Sequence, residues 1–152
     1  MRPAHPDDIP TLLDLMEAFY AESDYRLDRA VAGAAFGALL ADERLGRAWL
    51  IEADGWPAGY LVITVRFAME FGGLAAILDD LYVAPAFRKR GLATAALEVV
   101  RRWCEAEGIR AMTVEVAPDN TPAQIVYRRA GFGDVSGRQL LALELAPPAH
   151  EG

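Results

Sequence analysis

Between Ile77 and Val116 the chain reads as a strand, a basic turn, an amphipathic helix and a second strand, and this order constrains the fold more than any other feature. The first strand, Ala75-Ala76-Ile77-Leu78-Asp79-Asp80-Leu81-Tyr82-Val83, carries two adjacent carboxylates. From Gly91 to about Glu107, Leu92, Ala95, Ala96, Val99 and Trp103 fall on one helix face, and Gly108 follows as a stop. Met112-Thr113-Val114-Glu115-Val116 then returns as a short strand. Joined in this way the two strands need a right-handed crossover and must run parallel.

The rest of the chain supplies antiparallel neighbours and helices. Ile9, Leu12, Leu13, Met16, Phe19 and Tyr20 recur at helical spacing after Asp7, and Ala30 to Leu40 gives a second helical segment beyond an acidic, aromatic loop. Ala48 to Ala53 and Ala58 to Val65 flank Asp54-Gly55 as the arms of a hairpin, and Gly72-Gly73 turns the chain into the strand with the two carboxylates. Thr121-Pro122-Ala123-Gln124 has the pattern of a helix start, with the hydroxyl as cap and a helix running to about Ala130. Gln139 to Leu145 is expected to close the sheet. The fold class is therefore α/β (α+β): a mixed, mostly antiparallel central sheet flanked by helices. Residues 1–146 are expected to form one domain and 147–152 a disordered tail.

The 152 residues fit one domain, and 53% hydrophobic content is enough for a substantial core. Fifteen Lys and Arg against 22 Asp and Glu leave a net charge of −7, which disfavours nucleic acid as a partner. The longest apolar run, Ala30 to Ala41, is shorter than the ~20 residues of a membrane span. Its Gly33 and Gly37 then suit close packing of a soluble helix. With no signal-peptide pattern at Met1 to Pro6, a cytoplasmic protein without a membrane partner is expected. His5 and His150 lie at opposite ends and Cys104 stands alone, so no metal site is expected and the cysteine reads as a structural thiol.

Arg88-Lys89-Arg90-Gly91-Leu92-Ala93 lies between strand and helix in an otherwise acidic chain. A helix N-terminus offers free N–H groups and the positive end of its dipole, and Gly91 with the small Ala93 lets an anion approach the backbone. The same run also reads as a solvated basic turn. Neither a P-loop nor a Gly-x-Gly-x-x-Gly fingerprint occurs.

Leu81 to Ala93, a strand ending in Val83-Ala84-Pro85 followed by Arg88-Lys89-Arg90-Gly91-Leu92-Ala93, resembles the acyl-CoA signature of the GNAT N-acetyltransferases. Asn120-Thr121-Pro122-Ala123 with Tyr127 and Gly131-Phe132 resembles a later segment of the same family. The family's order of elements fits from about Asp7 to Leu145, with only Met1 to Ala4 left for its opening strand.

The resemblance implies acetyl-CoA as cosubstrate, bound where two parallel strands part and attacked directly by an amine. The backbone of Leu81, Tyr82 and Val83 would pair with the pantetheine arm. The N–H groups of Arg88, Lys89, Arg90, Gly91, Leu92 and Ala93, with Thr94 beside them, would hold the diphosphate, with Asn120 as a further contact or a turn residue. Arg88 and Arg90 side chains would add charge. Asp79 and Asp80 are candidate bases; as consecutive strand residues they should point to opposite faces, so only one should face the acceptor. Tyr127 would protonate the departing thiolate, although Ala123, Val126, Tyr127 and Ala130 also form a helical core stripe.

The expected function is acetyl transfer to a primary amine of a small cationic molecule such as a polyamine, amino acid or amine drug. Glu17, Glu22, Asp24 and Asp28 would form an acidic acceptor wall. A protein N-terminus or lysine as acceptor, and a silent acyl-CoA sensor, are the alternatives. A homodimer is a family habit.

Overall fold

The turn at Asp54-Gly55 organises the centre of the molecule, because both residues take left-handed φ values of 55° and 78° and reverse the chain tightly. The computed structural model describes residues 1–135 and 137–145. On either side of the turn run β2 (Gly46–Ala53) and β3 (Trp56–Ala68), preceded by β1 (Arg2–Pro3), α1 (Ile9–Ala21) and α2 (Arg29–Ala41). Then follow β4 (Gly73–Val83), α3 (Leu92–Ala106), β5 (Ala111–Val114) and α4 (Thr121–Arg129). Strand order is β1-β2-β3-β4-β5. The first three pairings are antiparallel and β4 pairs with β5 in parallel, as the crossover requires.

Alternation along the strands divides the core between the two sheet faces. Leu61, Ile63, Ala76 and Leu78 pack with Ala96, Leu97 and Val100 of α3, and α4 adds Val126 and Tyr127 at the margin. Leu50, Tyr60, Val62 and Tyr82 pack on the other face against Leu12 of α1 and Phe36 of α2. Each fully buried leucine, isoleucine or valine contributes about 1.5–3 kcal/mol. The opening strand is indeed only two residues long, and Arg2 fastens it through paired bonds to Asp8 at 2.8 and 2.9 Å.

Three local expectations change. Residues 139–145 take no part in the sheet, and Leu140, Leu141, Leu143 and Leu145 are 71–90% exposed. Leu141, Leu143 and Leu145 alternate as a strand would, but β5 offers an edge of only four residues for them to pair with. At α4 the cap is Asn120, whose Oδ1 accepts from the Ala123 N–H at 3.3 Å, while Gln124 donates to the Ala117 and Pro118 carbonyls. Thr121 therefore lies inside the helix instead of capping it. Of the two α2 glycines, a Cβ at Gly33 would touch Leu13 at 3.6 Å, whereas Gly37 faces open space. No helix among the described residues is long and apolar enough to cross a membrane. The expected tail, 147–152, lies outside the described residues.

Candidate active site

The parallel pairing of β4 with β5 extends from Ala75 opposite Ala111 to Leu78 opposite Val114 and goes no further. β4 itself continues to Val83, held on its other side by β3 as far as Gly59. Backbone groups of residues 79–83 are thus exposed along one edge to a gap that no described strand fills. The β4–β5 pairing thus ends where β5 itself stops, at Val114.

Immediately beyond the last β4–β5 pair the β3–β4 ladder contains a bulge. Val62 stands opposite Asp80 and Ile63 opposite Leu78, so Asp79 is the extra residue. Alternation is reset there: Ala76 and Leu78 face α3, and Leu81 and Val83 face the same side three and five residues beyond Leu78. Asp79 and Asp80 both line one cleft on the opposite side, between α1, α2 and β3. The expectation that only one would face the acceptor side is therefore overturned, because it assumed an unbroken period of two.

The cleft encloses about 710 Å³. Met16 and Tyr20 of α1, Ala35, Phe36 and Leu39 of α2, and Val62 and Thr64 of β3 form most of its wall. Tyr60 donates its hydroxyl proton to Asp80 Oδ2 at 2.9 Å. Burial nevertheless pushes the Asp80 carboxyl up to about 6 from an ordinary 3.8; the Tyr60 bond opposes the rise and the Asp79 charge adds to it. Burial also raises Asp79, against a hydrogen bond from Thr64. Neither carboxylate is ion-paired with a cation among the described residues. Burial, with the Asp80 and Asp79 charges and the neighbouring Tyr25 adding to it, pushes the Tyr20 phenol up to about 12.

Tyr127 lies on the α3 side of the sheet, its ring edge-on to Phe132 at 5.6 Å. Burial, followed by the Asp80 charge, pushes its phenol up to about 12, so it stays protonated through neutral pH. Proton transfer from this phenol to a thiolate of pKa ~8.5 is thus steeper than for an ordinary tyrosine, and the group suits hydrogen-bond donation to sulfur better than complete transfer.

The basic turn follows β4 through a short 3-10 turn at Pro85–Phe87. Lys89 and Gly91 take left-handed φ values of 63° and 75° in front of the fifteen-residue α3, and a Cβ at Gly91 would meet nothing within 4 Å. Open space beside a backbone wound in this way at a helix N-terminus fits a diphosphate. The flanking arginines are otherwise employed. Arg88 Nε donates to the Val83 carbonyl at 2.8 Å, its guanidinium pairs with Glu22, and it lies 5.7 Å from the Tyr82 ring centre. Arg90 pairs with Asp54 at 2.8 and 3.2 Å. Lys89 makes no ion pair among the described residues and carries the loop's uncompensated charge. Leu92, Ala93 and Thr94 form the first turn of α3.

The expected acidic wall is largely neutralised. Glu17 binds Arg29 at 2.8 Å, Glu22 holds Arg88, and Asp28 caps α2 by accepting from the Ala30 and Val31 N–H groups. Asp79 and Asp80 supply the cleft's negative charge instead. Cys104 is buried in the α3 core, its thiol pushed up to about 11 by burial, as a structural cysteine should be. Tyr60 is the site residue that sequence reading missed. A hydroxyl within Tyr60-Leu61-Val62-Ile63, a strand buried throughout, needs a polar partner, and that need was its available signal.

This fold, with a strand parting before a basic helix start, defines the class. The chain belongs to the acetyltransferase (GNAT) family, whose model matches residues 9–132. It is similar to an integron cassette protein, HFX_CASS3, from the mobile metagenome of Cole Harbour Salt Marsh, with 45% identity, a TM-score of 0.86, and coverage of 97% of this chain and 91% of that one. The crystal structure of the aminoglycoside N-acetyltransferase AAC(6')-Iy in complex with CoA shares the fold at 22% identity, a TM-score of 0.80 and coverage of 95% and 93%. A stretch of 83 residues, 53% of this chain, is 32% identical to the aminoglycoside N(6')-acetyltransferase type 1 of Salmonella typhimurium strain LT2 and spans 57% of that relative.

Proposed function

We propose that this protein transfers an acetyl group from acetyl-CoA directly to a primary amine of a small cationic molecule. The observation that carries the proposal is the Asp79–Asp80 couple, without a cationic partner among the described residues and brought into one cleft by the β4 bulge, where the pairing with β5 ends. Acetyl-CoA supplies the acetyl group already activated as a thioester. Residues 79–83 provide the backbone edge for its pantetheine arm, and residues 88–94 the cradle for its diphosphate, with main-chain N–H groups and Lys89 as the holding elements. Asn120 stands at the start of α4, with its Oδ1 committed to the helix cap and its amide nitrogen available to a ligand.

Asp80 and Asp79 attract the acceptor as an ammonium and bring it to the parting strands. A free alkyl ammonium has a pKa of ~10.4, and an exposed aspartate is too weak a base to remove its proton readily. Raising Asp80 to about 6 narrows that gap by about two pH units. Tyr60 keeps the carboxylate oriented. Tyr127, protonated and on the other face, donates a hydrogen bond to the departing sulfur. The similarity to aminoglycoside N-acetyltransferases supports an amine acceptor.

Thiol release from acetyl-CoA, followed against a panel of primary amines, tests the reading. Amine-dependent release that falls sharply in D79N/D80N supports it. No release with any amine tested, despite CoA binding, overturns it in favour of an acyl-CoA sensor.

A further inference from the structure

The cleft beside Asp79 and Asp80 is chemically lopsided. All its charge lies at one end, and Met16, Ala35, Phe36, Leu39 and Val62 make the remainder hydrocarbon. The other polar contributions come from Tyr20 and Thr64, and Thr64 is already turned to Asp79. Alanine at 32, 35 and 38 of α2 creates the room, since side chains at spacings of three fall along the same side of the helix. A second or third ammonium would meet no carboxylate away from the Asp79–Asp80 end. A ring bearing several hydroxyls would have to desolvate them against Met16 and Leu39 without partners, which is unfavourable.

Building on the N-acetyltransferase reading above, we infer that the preferred acceptor is a monoamine with a hydrocarbon body, alkyl or arylalkyl, and not a polycation or an aminoglycoside. The ammonium sits on the carboxylate couple and the hydrocarbon fills the cleft between α1 and α2. The reaction is amide formation: the ammonium first loses one proton to solvent through the carboxylate couple, the neutral amine nitrogen bonds to the acetyl carbon, the carbon–sulfur bond of the thioester breaks, and the second nitrogen-bound proton ends on the departing sulfur, giving the amide, the CoA thiol and one released proton.

The test compares kcat/KM at saturating acetyl-CoA for n-butylamine, n-hexylamine, phenethylamine, spermidine and kanamycin. These alkyl monoamines have similar basicity, so chain length isolates the apolar contact. Each buried methylene is expected to raise kcat/KM about fourfold, placing n-hexylamine about fifteenfold above n-butylamine. Ala35 is exposed on α2, so substitutions there leave the core intact. A35L should lower kcat/KM for n-hexylamine and phenethylamine by more than for n-butylamine, and A35E should shift preference towards spermidine. Turnover of kanamycin or spermidine above n-hexylamine, or a flat series from butyl to hexyl, overturns this inference while leaving acetyl transfer standing. Absence of turnover with every amine overturns both.

Discussion

Replacing Asp80 by asparagine keeps the size of the side chain and an oxygen for the Tyr60 hydroxyl, but removes a carboxylate that the fold holds away from water. The native carboxyl titrates at about 6, against 3.8 when unfolded. The native state therefore binds this proton more tightly than the unfolded chain does. Its stabilising contribution is complete below pH 3.8, declines as pH rises through about 6, and is gone above it. Over that range the difference integrates to about 3 kcal/mol. D80N, neutral at every pH, should escape the loss. Urea melts at pH 4 and pH 7.5 should show the variant gaining about 2–3 kcal/mol on the native protein between the two, a comparison in which the titrating groups not coupled to Asp80 cancel. Its acetyl transfer should fall about a hundredfold or more, and the acidic limb near pH 6 should vanish from its kcat/KM profile. Identical pH dependence of stability in the two proteins would refute the buried-charge argument; an unchanged pH–rate profile would refute the role of Asp80 as base.

Two further outcomes test the thioester side. Y127F should lower kcat by about 10–100-fold and leave the KM for acetyl-CoA within about twofold, because it removes a donor to the leaving sulfur and not a binding contact; unchanged kcat would end that assignment. G91V places a branched side chain at φ 75° in the space in front of α3, so CoA affinity by calorimetry should drop about tenfold or more while the melting temperature falls modestly. Unaltered CoA affinity would place the diphosphate elsewhere.

Much of this architecture was legible because local signals agreed with one another. Asp54-Gly55 fixed the hairpin, Gly91 and Gly108 bracketed α3, and a strand–helix–strand order left no choice but a parallel pair. The basic turn could be placed at a helix start for the same reason. What escaped was contingent on pairing. The bulge at Asp79 depends on how β3 meets β4, and no spacing within β4 announces it. Likewise Arg88 and Arg90 looked like free cations until folding brought Glu22 and Asp54 to them across long separations in sequence. Residues 139–145 misled in the opposite direction: their leucines alternate as in a strand, but a local period does not supply a partner, and β5 presents only four residues of edge.

The extra residue in β4 also sets which kinds of genetic change this protein can survive. Point substitution at position 79 alters one side chain, but deletion of that codon would restore a regular ladder and force a choice. Either the chain beyond it turns over, swapping Tyr82 with its neighbours between the two faces, or the whole run to the basic turn slips by one place. Shortening β4 here should therefore be far more damaging than any single replacement at the same position, and comparing a deletion scan with a substitution scan would expose that difference at this codon.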